Sequence, residues 1–132
     1  MDKEEIRNIV LKYIDAYNVC DIEKISSLLD KDITFKNIAN NTTIATAEGI
    51  SSFTDMISKS TSIFSERNME LITISVENNE VFFETFFTGI LNKDLNENIL
   101  SGDELRIDGH SEFKFNDKNL IYSITDYSRT KI

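Results

Sequence analysis

An α+β fold is the prediction for this chain, and two features of the sequence carry it. Apolar residues recur at three-four spacing near the start and at period two through much of the second half. Helices therefore come first, a long antiparallel sheet follows, and the two layers close over one core. At 132 residues the chain has the length of one domain with a genuine core. No linker, repeat or low-complexity tract divides it, so residues 1–132 are read as a single domain.

The first helix is predicted over residues 3–18, where Ile6, Ile9, Val10, Tyr13, Ile14 and Tyr17 make one buried stripe. Asp2, Glu4 and Glu5 suit the positive end of its dipole, and Asn18 is expected to take the left-handed turn that ends it. Asp21 is the expected N-cap of a short second helix that buries Ile22, Ile25, Leu28 and Leu29. Asp30 to Asp32 closes that helix, and residues 33–38 read as a strand followed by a polar loop, Asn40 to Thr43. A third helix is expected over residues 46–64 with Ile50, Phe53, Ile57 and Phe64 inward, although Gly49 and the Ser and Thr content weaken its helix propensity.

Residues 69–76 and 81–91 flank Glu77-Asn78-Asn79-Glu80, a hairpin connection between two strands. The second of these is aromatic on both faces, with Phe83 and Phe87 opposing Phe82 and Phe86. Asn92 to Asn98 is a polar loop, and residues 103–115 lead into a closing hairpin at Asn116-Asp117-Lys118-Asn119. Phe113 and Phe115 share one face there, opposite Glu112 and Lys114. Tyr122 and Ile124 oppose Ser123, Thr125 and Tyr127, so this sheet is apolar on both sides and both must be covered.

Composition excludes several classes. The formal charge of −9, with no basic stripe, repels phosphate backbones and argues against nucleic acid. No apolar run is long enough to span a bilayer, and the acidic start Met1-Asp2-Lys3-Glu4-Glu5 is unlike a secretory signal. One cysteine, Cys20, forms no internal disulfide, which points to a reducing cytoplasm. The absence of proline and the abundance of Asn, Ile and Lys suggest an AT-rich bacterial genome.

Few side chains announce chemistry. His110, the only histidine, is a general acid-base candidate. Alternation places it with Asp108 and Glu112 on the polar side, solvated or facing a subunit, unless a bulge re-aims it. A lone histidine is a poor metal site. Asn92-x-Asp94-x-Asn96-x-Asn98 lacks the glycine and terminal glutamate of a calcium loop. Cys20 beside Asp21 is a poor thiolate, and four scattered glycines build no phosphate cradle. No cofactor and no metal are expected. Asp126 shares a side with Tyr122 and Ile124, and Glu84 with Phe82 and Phe86; both carboxylates are expected on the outer face, as rim charges rather than a catalytic pair. Tyr13 and Tyr17 lie on the buried stripe, either packed or donating into a cavity.

The run from Val10 to Ile25, with Tyr13, Tyr17, Asn18 and Asp21, resembles the paired N-terminal helices of the nuclear transport factor 2-like superfamily. That superfamily includes the SnoaL-like polyketide cyclases and the ketosteroid isomerases. The resemblance continues through Asp32 to Phe35, Ala47 to Phe53, the hairpin from Phe113 to Ile121, and Asp126-Tyr127. It implies a curved sheet wrapped round helices, a cone with an apolar pocket, and a homodimer formed through the outer sheet face. Ketosteroid isomerases use an aspartate base, with a tyrosine and a protonated aspartate as donors to the developing oxyanion. Carried over, the tyrosine falls on Tyr13, the base on Asn37 and the protonated acid on or near Ser111. The aspartate that often follows the final Tyr-x pair in SnoaL-like proteins falls on Arg129. An amide takes no proton, so the resemblance preserves the pocket and the donor but not the base.

The expectation is a domain that holds a small hydrophobic molecule. Tyr13, Tyr17, Phe35, Phe53, Phe83, Phe87, Phe113 and Tyr127 would form the walls, and Asn37, Ser111, Ser123 and Thr125 would orient the ligand. The alternative is an isomerase or cyclase acting on a hydrophobic carbonyl compound. Tyr13 would be its donor, and the base would be a group such as Asp126 or His110 turned inward.

Overall fold

The computed structural model describes residues 2–131, the last two through their backbone alone. The elements are α1 (Lys3–Asn18), α2 (Ile22–Ser27), β1 (Leu29–Ala39), β2 (Thr42–Glu48), α3 (Ile50–Thr61), β3 (Phe64–Glu77), β4 (Glu80–Leu91), β5 (Glu104–Phe115) and β6 (Ile121–Lys131). The strands form one curved sheet in the order β2-β1-β6-β5-β4-β3. Every pairing is antiparallel except β1 with β6, which is parallel, so the sheet is mixed rather than wholly antiparallel. No helix is long and apolar enough to cross a membrane among the described residues.

Helix α1 starts as its sequence dictates, with the Asp2 carboxylate accepting from the Glu4 N–H at 3.2 Å. Its end differs from expectation, because Cys20 and not Asn18 takes the left-handed conformation, at φ 54°. Asn18 is held by another task. Its side-chain amide donates to the Met69 carbonyl at 2.9 Å and accepts from the Met69 N–H at 2.7 Å. Those two bonds reproduce a backbone ladder step and fix the end of α1 to β3. Asp21 caps α2 by accepting from the Lys24 N–H at 3.1 Å.

The expected third helix loses both ends. Residues 46–48 complete β2, and Phe64 opens β3, leaving α3 as twelve residues that begin after Gly49 at φ 85°. Strand β2 shows little apolar alternation because it is an edge strand, with Ala47 its only buried residue. Helix α1 packs across β3, while α3 packs against β1 and β2. The core between helices and sheet is built from Ile6, Val10, Ile25, Ile33, Phe53, Phe113, Phe115, Ile121 and Ile124, all nearly inaccessible.

One irregularity decides what faces the interior. In the β5–β6 pairing Phe115 lies opposite Ile121, but Lys114 lies opposite Ser123, so Tyr122 is an extra residue. A bulge of this kind reverses the facing of everything beyond it. Ile121 and Ile124 are therefore both buried, and Tyr122 is 41% exposed. From Ile124 onward the inward residues of β6 are Ile124, Asp126 and Ser128. Asp126 thus faces the interior, which corrects its expected place on the outer face.

Candidate functional site

The concave side of the sheet and the helices enclose a cavity of about 320 Å³, with walls that are mainly apolar. Tyr13 and Tyr17 of α1, Phe35 of β1, Phe53 and Met56 of α3, and Phe87 of β4 form much of the wall. Each comes from the inward stripe of its element, so the periodicity that builds the core also lines the cavity. Phe83 and Phe113 do not border it. They lie beneath it as packing, with Phe113 edge-on to both Tyr13 and Phe83 at ring separations of 5.0 and 4.9 Å. Together they hold the Tyr13 ring in place.

The polar groups converge on one side, where β1, β6 and β5 run next to each other. Asn37 is the β1 register partner of Asp126, and Ser111 is its partner on β5. The Ser111 hydroxyl donates to Asp126 Oδ1 at 2.6 Å. The Ser128 hydroxyl lies 3.5 Å from Asn37 Oδ1. Ser123 and Thr125 are placed elsewhere: the same bulge turns them to the outer face, opposite Lys114 and Glu112. Their expected role in orienting a ligand is therefore corrected, and Asp126 and Ser128 occupy the inward positions instead.

Asp126 is half-buried, and the exposure it keeps is to the cavity it lines. Burial pushes its carboxyl up to about 6, against a smaller opposing effect of the Ser111 hydrogen bond, which favours the ionised form. Burial also pushes the Tyr13 phenol well above its usual value, and the nearby Asp126 and Tyr17 add to the rise. Tyr17 is raised by burial too, with the Arg67 guanidinium pulling the other way and Asp126 and Cys20 adding to the rise. The Tyr13 hydroxyl makes no hydrogen bond to the described residues. A protonated phenol and a carboxylate titrating near neutrality thus share one largely apolar space. Such a pair can donate to an oxygen while accepting a proton.

His110 does not join them. It is exposed on the outer face, cross-strand from Glu84 and Tyr127, and its ring stacks on Tyr127 at 4.4 Å. His110 and Tyr127 border both the cavity and a second hollow on the outer face. Only the sheet separates the two spaces at this point, where Gly109 carries no side chain. Glu84, Phe82 and Phe86 face outward, as alternation predicts. Arg67 is a residue near the site that the sequence does not single out. It lies on the inward side of β3, its guanidinium 4.7 Å from the centre of the Tyr17 ring.

A family model described as the SnoaL-like domain matches residues 10–124. Solved structures share the fold at low identity. A SnoaL-like polyketide cyclase candidate from Shewanella denitrificans superposes with a TM-score of 0.79 at 15% identity, covering 96% of this chain and 91% of that one. An LEH-like epoxide hydrolase from M. tuberculosis gives 0.74 at 14% identity, over 95% of this chain and 83% of that one. A protein with a ketosteroid isomerase-like fold from Catenulispora acidiphila gives 0.72 at 13% identity, over 90% and 83%. No curated protein matches the sequence.

Proposed function

Starting from a chain that belongs to the SnoaL-like domain family of the nuclear transport factor 2-like superfamily, we propose a proton-transfer enzyme of the isomerase or cyclase type. Its substrate is a small, largely apolar carbonyl compound. The observation that carries this reading is the inward Asp126, a carboxylate titrating at about 6 in the same cavity as the Tyr13 phenol, whose hydroxyl makes no hydrogen bond to the described residues. Ionised Asp126 removes a proton from the carbon next to the carbonyl. The electron pair moves onto the carbonyl oxygen, and the Tyr13 hydroxyl stabilises that oxygen by donating a hydrogen bond. Protonated Asp126 then returns the proton to another carbon, giving an isomer. Alternatively the new carbanion attacks a second carbonyl of the same molecule, and the alkoxide so formed takes the proton back from Asp126, giving a hydroxylated ring.

A base with a pKa near 6 suits this step. It is mostly ionised at pH 7, yet far stronger than a solvated carboxylate. Ser111 is a positioning residue, since its hydroxyl holds one carboxylate oxygen and leaves the other to the substrate. The Asn37 amide, beside Asp126, offers a second hydrogen bond to a substrate oxygen.

A second reading rests on Asn37 itself, which stands where the isomerase resemblance puts the base. On that reading the cavity only holds a hydrophobic ligand and turns nothing over. Deuterium exchange separates the two. Aryl ketones incubated with the protein in D2O, followed by proton NMR, should lose their α-proton signal faster than in matched buffer. Asp126→Asn should abolish the acceleration while ketone binding, read by saturation transfer, persists. Binding without accelerated exchange in the unaltered protein would favour the passive receptor.

A further inference from the structure

We infer that the cavity takes an organic acid, its anionic group held by Arg67 and Tyr17 at the β3 side. The inference rests on the cavity being a ligand site, as proposed above, and adds the class of ligand.

Arg67 is a cation with an unmet demand. Its Nη2 donates to the Tyr17 carbonyl at the end of α1, and its guanidinium stacks on the Tyr17 ring. Its Nη1 is buried and has no hydrogen-bond partner. The chain carries 23 acidic residues, yet neither ion pair among the described residues includes Arg67. A guanidinium has five donors in a planar fork suited to carboxylates; Arg67 is only half-buried, but leaving its inaccessible Nη1 without an acceptor is costly. None of the described residues forms an ion pair with Arg67, and a ligand can.

The surroundings say where that ligand would come from. Phe64 and Met69 flank Arg67 along the inward side of β3, and both border the cavity, as does Tyr17. Arg67 does not border the empty cavity; it lies against the Tyr17 ring, which does. The Tyr17 hydroxyl makes no hydrogen bond to the described residues. A carboxylate entering at this side therefore meets the Tyr17 hydroxyl first, and takes the ring's place at the guanidinium when the ring turns aside. Ring-to-guanidinium stacking is weaker than a bidentate carboxylate bond, so the exchange runs toward the acid. Tyr17 feels both Arg67 and Asp126, which places it between the cationic and anionic sides. A ligand with an acid at one end and a carbonyl at the other would lie along that axis, its carbonyl at Tyr13 and Asp126.

The test uses 1-naphthylacetate and 1-naphthylacetamide, two probes of equal shape that differ in charge, titrated calorimetrically at pH 8. The unaltered protein should bind the acid at least tenfold more tightly than the amide. Arg67→Gln should erase that ratio with amide affinity unchanged, and Arg67→Lys should keep part of it. Asp126→Asn should retain the preference for the acid, so a failure of proton transfer leaves this result standing. Equal binding of the two probes, tighter binding of the amide, no binding of either at millimolar concentration, or an unchanged ratio in Arg67→Gln would each overturn the inference. Should Arg67→Gln fail to fold, the ratio in the unaltered protein and in Arg67→Lys still decides.

Discussion

Replacing Asp126 by Asn should make this protein more stable at neutral pH, although it removes the proposed base. The carboxyl titrates at about 6 in the fold and near 3.8 when unburied. Each pH unit between those values is worth about 1.4 kcal/mol, so keeping the ionised group in the cavity costs on the order of 3 kcal/mol. The sign follows from proton binding. Between the two values the folded chain holds a proton that the unfolded chain has released, so stability falls as pH rises through this window. Below 3.8 both states are protonated, and the substitution gains nothing. Above about 6 the full difference is present. Asn leaves an oxygen to accept from the Ser111 hydroxyl, so that contact survives. Urea denaturation of both proteins at pH 4, 5, 6, 7 and 8 reads the effect directly. Other carboxylates titrate equally in both chains and cancel from the difference. With ~1–3 kcal/mol per molar urea as the slope, the midpoint should move up by roughly 1–3 M at pH 8. An equal or lower midpoint for the Asn variant at pH 8 would show that Asp126 is not desolvated in the fold.

Ketone exchange should accelerate about tenfold per pH unit below the Asp126 value and flatten above it. Because Tyr13 stays protonated, no falling limb should follow up to pH 9; a profile flat from pH 4 to 9 would remove Asp126 from the mechanism. Ser111→Ala deletes the one bond that favours the ionised carboxylate, so the midpoint of that profile should shift upward, a change a purely structural serine would not produce. Tyr13→Phe should lower the exchange rate about 10²- to 10³-fold. Urea stability should stay within about 1 kcal/mol, because the lost hydroxyl makes no hydrogen bond to the described residues. Phe113→Ala should cost about 3–5 kcal/mol in the same urea assay, since the ring is fully buried and braces Tyr13. A loss under 1 kcal/mol would mean the floor of the cavity collapses without penalty.

Sequence periodicity located the elements that bury a continuous stripe. Ile6, Val10, Tyr13 and Ile14 mark α1 without ambiguity, and Phe83 and Phe87 face inward as alternation requires. The signal failed where burial is slight. Strand β2 exposes Ile44 and buries only Ala47, so neither period appears in Thr42–Glu48. It failed again where the count slips. Continuing the hairpin from Phe115 opposite Ile121 without interruption would pair Ser111 with Thr125 and place Ser123 and Thr125 inside. The extra residue at Tyr122 pairs Ser111 with Asp126 instead. A tyrosine within a strand does not announce a bulge, because its ring suits either face. Burial of both Ile121 and Ile124, three residues apart, was the available hint. Arg67 was invisible for a different reason, since a cation among Glu66, Asn68 and Glu70 reads as one more surface charge until Tyr17 is seen stacked beneath it.

Strand β6 has one further consequence, for how the molecule is made. It is the strand that pairs with β1 on one flank and β5 on the other, so a chain emerging from the ribosome displays β1 long before the neighbour it needs. Closing that gap joins side chains 91 positions apart in sequence, a separation that slows assembly through the entropy of the intervening loop. The strand that completes the architecture also delivers Asp126. A nascent chain halted short of Ile121 therefore leaves β1 and β5 each with a bare edge, and lacks the carboxylate proposed to take the proton.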